Sequence, residues 1–148
     1  TNIKGALTSA FFMYWFGFSK NSSYIPAVKQ EEVTKIVNKV YPLISEDYNC
    51  DAKIEFHKNI YERLSGIKGM TGEVIAQAEY CWEECKIYLY TSQMLSVELI
   101  IRSLIHECVH SRQLKCTFDS FYKNGHTYDT HPYEVEAKNA EENWKIYT

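Results

Sequence analysis

Apolar residues recur along this chain in two rhythms, and each change of rhythm marks an element. Val28, Val33, Ile36, Val37, Val40, Tyr41 and Ile44 stand mostly three and four apart, the spacing of one face of an amphipathic helix. Pro42 falls inside that pattern and is expected to bend or end the helix, because it has no amide hydrogen to donate. Asp51 to His57 alternates polar and apolar residues, the period of a half-buried strand. Gly66, Gly69 and Gly72 punctuate a loop, after which Glu73 to Trp82 and Cys85 to Thr91 read as two strands joined at Glu83-Glu84. Helical spacing returns with Val97, Ile100, Ile101, Leu104, Ile105, Cys108 and Val109. Ser92 and Ser96 both suit the start of that helix, which is predicted to run to about Lys115. A loop and a last helix follow. Pro132 suits its first turn, Thr130 or His131 its cap, and Tyr133, Ala137, Ala140, Trp144 and Tyr147 its apolar face. Together these elements predict an α+β fold.

The chain of 148 residues is long enough for one core and short for two. It divides into an apolar N-terminal segment, residues 1–25, and a domain, residues 26–148. Ala6 to Phe18 is an almost unbroken apolar run, too short to span a bilayer comfortably as a helix. It has the length of a signal-peptide core, but no small-x-small cleavage site follows. Three readings stay open for residues 6–18: packing on the domain, docking to a protein or membrane, and a targeting remnant.

A net charge of −3, with no cluster of Lys and Arg, argues against nucleic acid as a partner. The five cysteines (Cys50, Cys81, Cys85, Cys108 and Cys116) form no zinc-ribbon spacing, and an odd number leaves one unpaired. They read mostly as reduced core residues of a cytoplasmic protein, in host cytoplasm or a virion if virus-encoded, with secretion left open. A Cys81–Cys85 disulfide or second metal site is the alternative for that pair.

The chemistry concentrates in His106-Glu107-Cys108-Val109-His110. Residues four apart share a helix face, so His106 and His110 can grip one zinc ion, while Glu107 can serve a nearby water as general base. Catalytic zinc commonly takes a third protein ligand. Glu134 is the leading choice, because it falls in the first turn of the last helix beside the apolar face. Glu136, His126 and His131 remain rivals. Tyr128, Tyr133, His126 and His131 are candidate donors to an oxyanion or to the ligands, each with packing as its plainer role. If the strand before the metal helix or its hairpin partner lies at the sheet edge, it can take an extended peptide by main-chain hydrogen bonds.

A His-Glu-x-x-His helix followed by a later helix with a glutamate resembles the gluzincin metallopeptidases, above all their small phage- and bacterial-type forms. The resemblance covers His106–Gln113 and Glu134–Ala137 and the order of elements from about Lys29 onward. Glu134 and Ala137 match the Glu-x-x-Ala of the second motif, and Gln113 is similar to a continuation seen in small viral and phage members. Lys138 stands where Asp or Asn usually follows, so the resemblance supplies no contact there to steady the histidines. It implies a zincin-like fold, a small, mainly antiparallel sheet packed on the His-Glu-x-x-His helix with the third ligand on a C-terminal helix. It also implies zinc and a peptide or protein substrate. Cys116 occupies the spacing of the third metzincin histidine, but Gln113 replaces the glycine that turns the chain there. Two other functions stay open: a non-catalytic zinc-containing structural or interaction protein, such as a virion or complex component, and zinc hydrolysis of a non-peptide amide.

Overall fold

The computed structural model describes residues 10–12, 30–64 and 76–148. The first long helix, α1 (Gln30–Asp47), buries Val33, Val37, Val40 and Ile44 along one face. It passes through Pro42, where the apolar pattern predicts a bend or an end. Pro42 and Asn38 both lie on the exposed side, so water can serve the Asn38 carbonyl that proline leaves without an amide partner. Asn49, at a φ of 51°, turns the chain out of the helix. Asparagine tolerates that left-handed conformation better than most residues.

The sheet contains β1 (Ala10–Phe12), β2 (Lys53–His57), β3 (Ala76–Cys81) and β4 (Lys86–Tyr90), in the order β1-β3-β4-β2. β3 is antiparallel to both β1 and β4, whereas β2 runs parallel to β4. Between β2 and β3 lies α2 (Ile60–Arg63), a single turn whose cap Asn59 accepts from the Glu62 amide at 2.8 Å. Of the apolar run 6–18, Ala10–Phe12 form β1; the rest of that run, and Gly66, Gly69 and Gly72, lie outside the described residues.

Alternation along the β3–β4 hairpin sends Ala78, Tyr80, Ile87 and Leu89 to one face, where α1 and α3 (Val97–Ser111) form the main core. Of the two serines, Ser96 caps α3, its Oγ accepting from Leu99 N at 3.1 Å. Leu104 and Ile105 are fully buried. Truncating either to Ala is expected to cost about 2–5 kcal/mol. α3 ends at Ser111, short of the expected Lys115, and a separate helix α4 (Lys115–Lys123) follows the Gln113–Leu114 break. A loop is expected there from the sequence; the helix is signalled by Phe118, Phe121 and Tyr122, at helical spacing with Phe118 fully buried. α5 (Pro132–Ala140) then runs into a 3₁₀ helix, Glu141–Tyr147, and both pack against α3. The result is the expected α+β class, with the last helical segment held against the metal-motif helix. No helix among the described residues is long and apolar enough to cross a membrane.

Candidate metal centre

α3 is buried on almost every side over its last two turns, and His106, Glu107 and His110 are each 0% exposed. α5 brings in Glu134, which is 1% exposed. One ring nitrogen from each histidine and one Glu134 oxygen lie within 4.8 Å of one another. Glu134 Oε2 is 3.0 Å from His106 Nε2 and 3.3 Å from His110 Nε2. Two residues on one helix and one on another thus converge on a single point.

The outer nitrogens of both rings are held. Glu141 Oε2 lies 3.0 Å from His106 Nδ1, and Gln113 Oε1 lies 2.6 Å from His110 Nδ1. A carboxylate or amide oxygen can only accept, so each Nδ1 carries a hydrogen and donates it. In the neutral rings this directs both Nε2 lone pairs inward, the tautomer a metal ligand needs. Gln113 is itself anchored, donating from Nε2 to the Tyr133 carbonyl at 3.1 Å and to Glu136 at 3.4 Å.

His131 fixes where Glu134 enters. It caps α5, with Nδ1 accepting from Tyr133 N at 3.2 Å and from Glu134 N at 3.3 Å. Its Nε2 then donates to the Phe118 carbonyl at 2.9 Å. Burial lowers the pKa of this ring and favours the neutral form in which Nδ1 can accept. Both nitrogens being engaged, His131 positions Glu134 and has no nitrogen left for a ligand.

Charge and burial pull the cluster in opposite directions. Burial opposes the imidazolium of His106, but hydrogen bonds to Glu134 and Glu141 and the charges of Glu134 and Glu107 outweigh it and raise its pKa to about 10. Burial likewise works against the Glu134 carboxylate, yet the two histidines bring it down to about 2. Glu107 goes the other way: burial pushes its carboxyl up to about 7, against the pull of His110 and His106. Both Glu107 oxygens and Glu134 Oε1 are buried without a hydrogen-bond partner. Unmet buried polar atoms are costly, and a divalent cation among them would satisfy several at once. Two imidazole nitrogens and a carboxylate oxygen are a donor set that suits zinc.

Aromatic rings enclose the centre. Trp82, just beyond β3, donates from Nε1 to the Gln113 carbonyl at 3.0 Å and lies 6.1 Å from the His110 ring. Phe118 of α4 is 5.3 Å from His110 and 4.4 Å from His131. The Tyr128 hydroxyl is buried, and burial, with added repulsion from Glu134, Glu141 and Glu107, raises its pKa above the phenol range. Tyr133 packs its ring on Phe121. His126 is engaged with Thr130 Oγ1 at 3.2 Å, in the loop before α5. Of the rival ligands, Glu136 is exposed and held by Gln113, and Cys116 is exposed. The sequence pattern does not single out Glu141. Its one signal is its place seven residues after Glu134, two helical turns along the same face.

Comparisons with protein-family models, with curated proteins and with solved structures found no match to this chain.

Proposed function

We propose that the chain is a zinc-dependent peptidase of zincin-like fold, with His106, His110 and Glu134 as ligands and Glu107 as general base. The observation that carries this reading is Glu107: a fully buried carboxyl next to a ligand histidine, with neither oxygen hydrogen-bonded. A structural glutamate in that position would be expected to have a partner. Its pKa of about 7 suits a group that must both take and give a proton near neutrality. Bound zinc would polarise a substrate carbonyl and lower the pKa of the attacking water. Glu107 takes that water's proton and passes it to the leaving amine. The Tyr128 hydroxyl stays protonated and can donate to the oxyanion. The choice of a peptide over another amide rests on the resemblance of the motif and not on the sheet. Contrary to the expectation of an edge strand, β3 and β4 both lie inside the order β1-β3-β4-β2 and are paired on both sides, so neither offers main-chain groups to an extended peptide.

A second reading draws on the burial itself. With His106, His110 and Glu107 all 0% exposed, the same residues could close around a structural zinc, Glu107 being the fourth ligand. Glu107→Gln separates the two. As the base, its loss leaves zinc content unchanged and lowers peptide cleavage by about 10²–10⁴-fold. As a ligand, its loss weakens zinc retention, and the unaltered protein cleaves no peptide.

A further inference from the structure

β2 closes one side of the sheet, and no strand among the described residues pairs with its outer edge. Lys53 N donates to the Cys85 carbonyl just before β4 at 3.2 Å, which fixes the alternation of the main chain. Lys53, Glu55 and His57 turn their main-chain groups towards β4, so Ile54 and Phe56 turn theirs to the outer edge. Such an edge is a template for another strand unless a proline or a bulge spoils it. β2 has neither, and its register with β4 is unbroken.

The two faces of β2 differ. Ala52, Ile54 and Phe56 line an open cavity of about 360 Å³ beside Val37, Tyr41 and Pro42 of α1. Ile54 and Phe56 are only half-buried there. On the other face Lys53 is exposed, and Glu55 lies 2.8 Å from His57 Nε2 and 3.3 Å from Lys86 Nζ. Charge thus alternates in sign along one face while the other is apolar.

We propose that β2 pairs antiparallel with β2 of a second copy of this chain, about a two-fold axis at Ile54, joining two sheets into one. In that register Lys53 faces Glu55 of the second copy, Asp51 faces His57, Ala52 faces Phe56 and Ile54 faces its own counterpart. Opposite charges meet on one face and apolar side chains on the other, the pairings that stabilise neighbouring strands. Ile54 presents its main-chain groups to the edge, so the two copies of Ile54 exchange N–H···O bonds. Charge selects this register over its neighbours. An axis at Glu55 sets Glu55 against Glu55 and Lys53 against His57, and an axis at Lys53 sets Lys53 against Lys53 and Asp51 against Glu55. The contact uses the same edge on both copies and is closed at two. An axis normal to the sheet keeps both α1 helices on one side, where they cover the open cavities beside Ile54.

Sedimentation equilibrium of the full chain over a range of concentrations tests this, and a monomer–dimer equilibrium is expected. Lys53→Glu sets acid against acid at both symmetry-related pairs, and Glu55→Lys sets base against base. Each should weaken the dimer by about 10-fold or more. Mixed in equal amounts, the two variants again bring opposite charges together at both pairs, and the mixture should dimerise about as tightly as the unaltered chain. Glu55→Lys also gives up the contacts with His57 and Lys86, so Ile54→Pro provides a separate arm. It removes an amide that points away from β4, a change an edge strand tolerates, and should leave a folded monomer. An unaltered chain that stays monomeric at every concentration overturns the proposal. So does a dimer that survives Ile54→Pro, or Lys53→Glu dimerising as tightly as the unaltered chain.

Discussion

Glu141 Oε2 lies 3.0 Å from His106 Nδ1, and both side chains are almost wholly buried. This carboxylate comes from the 3₁₀ extension of α5, two helical turns beyond Glu134, so one C-terminal segment grips the same imidazole from both sides. Glu141→Ala is expected to weaken zinc binding by about 10–100-fold, because the ring loses both its orientation and its negative partner. Glu141→Gln keeps an acceptor and should lose less. Competition with a chromogenic chelator measures both, and wild-type affinity in Glu141→Ala would remove Glu141 from the centre.

The metal-free protein should lose stability as pH rises. Glu107 titrates near ~4.3 when unfolded but at about 7 when folded, so between those values the folded chain holds more protons. Stability therefore falls from about pH 4 to about 7, by roughly 2–4 kcal/mol for this one group. His106, raised to about 10, adds stability that is complete below ~6.5 and lost as pH climbs through 10. Glu134, lowered to about 2, adds stability that is complete above ~4.3 and lost as pH drops through 2. Urea unfolding of chelator-treated protein should thus show a maximum near about pH 4–5. Glu107→Gln should remove the decline between about pH 4 and 7 and leave the decline above it. A flat profile in the unaltered apo-protein would contradict these assignments.

His131→Ala should act on the metal through the backbone. It removes the cap of α5 and the bond to the Phe118 carbonyl, a loss of about 1–3 kcal/mol measured by denaturation. Zinc affinity should fall with it, since the Glu134 amide is one of the two groups His131 holds. His131→Asn restores a good capping residue and should recover most of the affinity. Equal affinities in the alanine and asparagine variants would mean that the cap does not position Glu134.

How far the centre can be read from the chain depends on how local each feature is. The pairing of His106 with His110 is a matter of helical period, so spacing alone predicts it, and the same holds for the Ser96 cap and the alternation in β3 and β4. Glu134 is legible only if the last helix returns to α3, which its apolar face implies. Glu141 was not legible, because its role depends on α5 continuing as a 3₁₀ helix against α3. His131 reads from the chain as a possible ligand or donor, but its two nitrogens are spent on α5 and Phe118. At Pro42 the local pattern predicts a bend or an end that does not occur: proline is costly in a helix interior, but the Asn38 carbonyl it frees here lies on the solvent side. Long-range packing and solvent exposure are what a one-dimensional pattern leaves out.

Tyr128 offers the sharpest test of chemistry as distinct from metal binding. Its hydroxyl is buried near the carboxylates of Glu134, Glu141 and Glu107, which add to the effect of burial and keep it protonated. In the proposed peptidase a protonated phenol there would donate to negative charge developing on the substrate oxygen, and such a donor matters more in the transition state than in the ground state. Tyr128→Phe removes that donor and keeps the ring. Zinc content should stay the same, while kcat falls by about 10²-fold and KM changes little. A larger KM at unchanged kcat would instead make Tyr128 a contact for bound substrate. Unaltered kcat and KM would reduce it to a packing residue, leaving the oxyanion to the zinc and another donor.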